Sequence, residues 1–333
     1  MRAWVLEAPR PVAEGPLRLV EIPDPAPGPG EIVLDVEACG LCRTDLHIVQ
    51  GEIELPRLPL VPGHQAVGRV AAAGEGARRF PRGARVGAAW LHRTCGGCDD
   101  CRRGDENLCR RALHAGYHVP GGMAEKMAVP EAFAYALPEQ DDVARLAPLL
   151  CAGIIGWRAL RQAGVTRGER VGLYGFGSSA HLALQLARAE GNRVFVVTRG
   201  ERHRALARRL GAEWAGGPDE APPQPLDRAV LFAPAGELVP AALAAVRWGG
   251  TVASACIHMS PIPPLDYARH LFGEKTLRST TANTRRDGVE LLEAAQRAGL
   301  RPEVEVFPFE RANEGLQAVD ADRVQGSAVL AVR

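Results

Sequence analysis

Four cysteines crowd a segment too polar to bury them: Cys95, Cys98, Cys101 and Cys109 lie in CGGCDDCRRGDENLC. Four thiolates can close a tetrahedron around Zn²⁺ and leave no position open, so this spacing predicts a structural metal site. An iron–sulfur cluster draws on the same donors, but packing does not explain so many thiols in a polar loop. A second set is dispersed, with Cys39 and Cys42 in CGLCRTDLH, His64 in VPGHQAVG and Cys151 in PLLCAGIIGW. Singly, each fits a small core residue or a hydrogen-bonded histidine. Together, two thiolates and an imidazole make a three-ligand set that keeps a fourth zinc position free for chemistry. Spacing does not choose between Cys39 and Cys42.

A third constellation is the run Gly175, Phe176, Gly177, Ser178, Ser179 and Ala180, which reads G-x-G-x-x-A. It follows the apolar run RVGLY and precedes a helical pattern. Glycines in that context let a pyrophosphate approach the backbone at a helix N-terminus, which predicts a dinucleotide site.

The elements that must hold these residues fall into two patterns. To about residue 150 the chain is rich in Gly and Pro and predicts short strands at Ala3–Leu6, Glu31–Ala38, Gln65–Ala73, Arg85–Ala88 and Ala124–Val129, the signature of an irregular β-barrel. From Cys151, short apolar runs (RVGLY, RVFVV, RAVLF, GTVASAC) alternate with helical stretches such as AHLALQLARAEG and ERHRALARRLGA. That alternation predicts βαβ units and a parallel sheet. A helix near Arg311–Val319 and a last strand at Ala328–Val332 are expected to return to the first domain, and 216–227 reads as an exposed loop.

CGLCRTDLH, GHQ-x-x-G, the four-cysteine loop, CAG-x-x-G-W and the G-x-G-x-x-A turn, in that order over nearly the whole chain, resemble the zinc-dependent alcohol dehydrogenases of the medium-chain dehydrogenase/reductase superfamily. A Cys2His catalytic zinc is the set that this enzyme class exemplifies. The resemblance implies an α/β fold: a GroES-like irregular β-barrel catalytic domain at 1–152 and 284–333, and a Rossmann doubly wound parallel sheet at 153–283. It makes Cys42, His64 and Cys151 the catalytic ligands, leaves Cys39 to packing, and gives Cys95, Cys98, Cys101 and Cys109 a structural zinc, two ions per chain. Asp45 is implied to hold the His64 ring, and Arg43 to meet the cofactor pyrophosphate. Thr44 and His47 are implied to relay the proton of a zinc-bound alcohol to solvent. Trp90 and Leu91 resemble substrate-pocket residues. Two positions depart from the family: Gln65 stands where glutamate is usual, and Ile155 where threonine often faces the nicotinamide.

Family members that select NAD carry a carboxylate after the second strand, to bind the adenosine ribose. Here Thr198 and Arg199 hold that place, with no carboxylate before Glu201, and a guanidinium there suits a 2′-phosphate. NADP(H) is therefore expected over NAD(H).

The chain has 333 residues, 46% of them apolar, with a formal net charge of +1. That suffices for two domains and offers no basic face for a nucleic acid. No apolar run approaches the roughly 20 residues a membrane span needs, and no secretion signal is apparent, so a soluble cytoplasmic homodimer or homotetramer acting on a small alcohol or aldehyde is expected. A variant of this reading is a reductase working mainly on aldehydes, bulky aromatic ones included. The competing reading is a zinc-stabilised dinucleotide-binding protein, a redox sensor or partner-binding module without catalysis, which Gln65 and Ile155 alone favour.

Overall fold

A computed structural model describes all 333 residues. The chain divides into two compact units: Met1–Cys151 with Ala282–Val289 and Pro302–Arg333, and Ala152–Thr281 with Glu290–Arg301.

The first unit is built around the strand Glu31–Leu41, eleven residues long and buried along most of its length. It pairs antiparallel with Ala66–Ala73, Lys126–Pro130 and Ser327–Ala331. Irregular register at Val33/Leu34 and Val36/Ala38 lets one strand serve several partners, because a bulge bends the ladder and raises its twist. Arg85–Ala88 and Ala134–Ala136 extend one side of this seven-stranded sheet, and Val304–Pro308 the other. Its core combines sheet residues such as Leu34, Val36 and Leu330 with Leu46, Ile48 and Leu316 from two helices, Arg43–Gln50 and Ala312–Asp320.

The second unit holds six strands in the order Trp214–Gly216, Arg193–Val197, Arg170–Tyr174, Leu226–Leu231, Val246–Ser254, Thr276–Ser279, all parallel. This is the doubly wound order of dinucleotide-binding sheets. Apolar runs without alternation, such as RVFVV and RAVLF, suit strands buried on both faces. Helices Ala152–Gln162 and Ser178–Ala189 pack closely at Gly156, where a Cβ would lie 3.1 Å from the Ser179 carbonyl oxygen. No single helix is long and apolar enough to cross a membrane.

The expected strands appear with ends shifted by at most three residues: the central strand runs on to Leu41 instead of stopping at Ala38, and Gln65 precedes Ala66–Ala73 rather than beginning it. The helix Arg43–Gln50, only eight residues long, has too few turns for periodicity to announce it. Residues 290–301 pack with the second unit, because the helix Arg285–Ala298 gives the first unit only its opening turns.

Candidate metal and cofactor sites

The segment CGLCRTDLH forms a strand end followed at once by a helix, and the switch occurs at Cys42. Cys42 is the helix N-cap: its Sγ accepts the Thr44 amide N–H at 3.4 Å, while the Asp45 carboxylate accepts the Cys42 N–H at 2.9 Å. This reciprocal cap satisfies two orphan donors of the first turn and points the sulfur out of the helix end. Cys42, His64 and Cys151 come together, with their ligand atoms all within 4.8 Å of one another. The His64 Nε2 lies 3.3 Å from the Cys42 sulfur, and its Nδ1 lies 3.2 Å from the fully buried Asp45 carboxylate. One ring nitrogen thus faces the sulfur cluster and the other faces a carboxylate, the arrangement that fixes a ligating imidazole.

Electrostatics favour ligand chemistry. The Cys151 thiol, donating to Cys42, and then the charge of His64 hold the Cys42 thiol well below its ordinary range despite burial. Cys151 is correspondingly pushed up, by that same hydrogen bond and by burial. Two soft sulfurs and an oriented imidazole fit zinc. Cys39 is different: burial raises its thiol far above the usual range, and its Sγ packs against Gly63 and Gly122 while reaching the Gly40 carbonyl at 3.6 Å. Geometry thus groups Cys42, and not Cys39, with His64 and Cys151.

Cys95, Cys98, Cys101 and Cys109 also converge, with all four sulfurs within 4.8 Å. Backbone N–H groups of Gly97 and Cys98 pull the Cys95 thiol down to about 6, and Arg111 hydrogen-bonds it. The loop is tethered inside the first unit by Glu106, whose buried carboxylate accepts from the Arg285 backbone N–H at 2.8 Å and its guanidinium at 2.6–3.1 Å.

Thr44 is half-buried on the first turn of the capped helix and Arg43 is exposed beside it. His47, one turn on, is buried and meets the Glu52 carboxylate. Gln65 is buried against Gly40, which it crowds so closely that a Cβ there would lie 2.9 Å from its amide carbon. Trp90 stands edge-on to His64 at 5.1 Å between ring centroids and stacks on His114 at 4.7 Å; Tyr117 lies beyond at 5.7 Å. Leu91, by contrast, is fully buried core. His114, Tyr117 and His118 escaped the sequence reading, although three such rings in HAGYH were a signal.

In the second unit, Gly175 turns the chain after Arg170–Tyr174 with φ +87°, where a Cβ would lie 2.7 Å from the Ala233 backbone nitrogen. A Cβ on Gly177 would meet nothing within 4 Å, so the start of the helix Ser178–Ala189 offers room for a phosphate against bare backbone. Phe176 and Ala180 are buried behind it, and Ser178 and Ser179 open the helix. Thr198 follows the strand Arg193–Val197, its N–H donating to the Gly216 carbonyl, and Arg199 comes next, exposed. The Glu201 carboxylate is held by Arg204 at 2.9 Å and Arg208 at 2.7 Å. Ile155 is half-buried on Ala152–Gln162.

Residues 28–139 match the alcohol dehydrogenase GroES-like domain family. The chain is 46% identical, over all its length and 97% of the relative's, to a Mycobacterium tuberculosis protein named "Probable alcohol dehydrogenase AdhA". It is 34% identical to an alcohol dehydrogenase of Geobacillus stearothermophilus, over 95% of this chain and 96% of that one. A cinnamyl alcohol dehydrogenase from Sorghum bicolor superposes with a TM-score of 0.89 at 26% identity, covering 99% of this chain and 97% of the other. Full-length kinship to alcohol dehydrogenases does not favour the alternative of a non-catalytic binding module. The chain belongs to the zinc-type medium-chain alcohol dehydrogenases, which interconvert alcohols and aldehydes.

Proposed function

We propose that this protein transfers hydride between a primary or secondary alcohol and NADP(H), with Cys42, His64 and Cys151 holding a catalytic zinc and Cys95, Cys98, Cys101 and Cys109 a structural one. The observation that carries the reading is the meeting of three ligands from distant parts of the chain, with Asp45 behind His64. Zinc held by these residues would supply a Lewis acid, lowering the pKa of an alcohol hydroxyl. The Thr44 hydroxyl would take up an alcohol proton and pass it on toward His47, whose imidazole would exchange it with solvent. In the second unit, the backbone from Gly175 to Ser179 would cradle a cofactor pyrophosphate at the start of its helix; in the first, Arg43 stands exposed on the helix Arg43–Gln50, a guanidinium suited to a phosphate group.

Selectivity for NADP(H) rests on Thr198 and Arg199. The first carboxylate after them, Glu201, is already neutralised by two arginines, which leaves Arg199 to face a phosphate rather than a ribose diol. Trp90, His114 and Tyr117 form a ring wall beside His64 that suits aromatic alcohols and aldehydes. We assign the first unit to catalysis and the second to the cofactor. A second copy of the chain is the partner: the outermost strand Thr276–Ser279 lies in the same unit as three exposed rings, Trp248 and Tyr267 each set against Phe272.

Zinc content and the ratio of kcat/KM for NADP(H) and NAD(H), measured on a panel of short and aromatic alcohols, test this. About two zincs per chain and a clear NADP(H) preference are expected. A preference for NAD(H) overturns the cofactor assignment, and a single zinc overturns the catalytic one.

A further inference from the structure

The helix Arg43–Gln50 ends in a way that its catalytic role explains. Gly51, at φ +70°, turns the chain so that its N–H reaches the Ile48 carbonyl at 3.2 Å and the Glu52 N–H reaches the His47 carbonyl at 3.0 Å. This paired closure is a Schellman motif, and it folds residue 52 back over the last turn. The residue placed there is a glutamate, the wrong charge for a helix C-terminus, where the partial negative charge of unpaired carbonyls favours cations. Its carboxylate is committed locally: one oxygen meets the Nδ1 of His47, and the other accepts from the Gln50 amide at 3.4 Å. Gln50 is held in turn by the Val12 N–H at 3.4 Å.

We infer that Glu52 is the positioning residue of the proton relay. Its carboxylate fixes the buried His47 ring with a proton on Nδ1, so that the lone pair is presented on Nε2. The inference rests on the relay role proposed for His47. In each turnover Nε2 accepts one proton while Nδ1–H stays on Glu52; the imidazolium so formed sits against a carboxylate, and Nε2 then releases that proton to water, restoring the starting tautomer. The Glu52 side chain is 43% exposed, which leaves it in touch with solvent at the outer end of the path and makes it replaceable without a cavity.

The test uses the zinc-loaded enzyme oxidising an alcohol. Glu52→Ala is expected to lower kcat on the order of tenfold, a fraction of what a positioned acid–base group supplies, with alcohol KM and cofactor Kd unchanged. Added imidazole should restore the rate by carrying the proton itself. Glu52→Gln, which keeps an acceptor for Nδ1–H, should retain most of the activity. In a His47→Ala background, Glu52→Ala should do nothing more. Nitrogen-edited NMR should show a protected His47 Nδ1–H signal that Glu52→Ala removes. If His47→Ala itself is harmless, the relay reading falls. If His47→Ala is harmful but Glu52→Ala keeps full kcat, or lowers it equally without His47, only the positioning role of Glu52 is refuted.

Discussion

His92 is a base buried without need of its charge, and that makes the stability of the fold depend on pH in a calculable way. The residue lies on the short strand Leu91–Arg93, is 6% exposed, and its Nδ1 has no hydrogen-bond partner. Burial, reinforced by the neighbouring Arg93 charge, pushes the imidazole down from 6.5 to about 4. Between those values the unfolded chain takes up a proton that the folded chain refuses. The fold therefore has its full stability above the unfolded value and loses it as pH falls, until the folded ring also protonates near 4. At about 1.4 kcal/mol per pH unit, the whole gap is worth about 3 kcal/mol, and the part lost by pH 5 about 2 kcal/mol. Replacing the ring, as in His92→Asn, removes this titration whatever it does to stability at neutral pH. Urea unfolding followed by circular dichroism, on wild type and variant at about pH 7 and about pH 5, isolates the effect, because every other titrating group is common to both. The wild type should lose about 2 kcal/mol more than the variant over that interval. Parallel losses in the two proteins would refute the reasoning, and a larger loss in the variant would reverse its sign.

Replacing Arg199 with alanine should raise the NADP(H) KM by about tenfold or more, the worth of a charge-assisted hydrogen bond, while leaving NAD(H) kinetics nearly unchanged; steady-state assays with both cofactors decide. Cys98→Ser should remove about one zinc per chain and raise protease cleavage between Cys95 and Cys109, as elemental analysis and limited proteolysis would show. Glu106→Gln should cost about 2 kcal/mol, read by chemical unfolding, because it weakens a carboxylate that receives both the backbone and the guanidinium of Arg285.

How much of this was legible before the structure depended on whether a signal was local. The four-cysteine loop and the glycine turn announce themselves within fifteen residues, since each is a complete constellation on one stretch of chain. Cys42, His64 and Cys151 could be nominated only as a group, and the choice against Cys39 came from the family likeness, until burial and distance gave it a physical basis. Glu52 could not be suspected from its neighbours, because its meaning lies in a left-handed turn at Gly51 that folds it back on His47. Trp90 was picked out but its backing was not: the stack on His114 joins residues brought together by the pairing of Leu91–Arg93 with Leu113–His114. Leu91, next to it and first in that strand, is buried in the core instead.

The sulfur of Cys42 serves two masters. It caps a helix as well as facing His64 and Cys151, so an alkylating agent that reaches it does more than block the proposed coordination position. The Thr44 amide would lose its acceptor, and the first turn would be free to unwind, disturbing Arg43, Thr44 and Asp45 at a stroke. Inactivation by such a reagent should therefore leave a scar in the backbone, visible as faster amide exchange along that turn, which restoring metal alone does not heal.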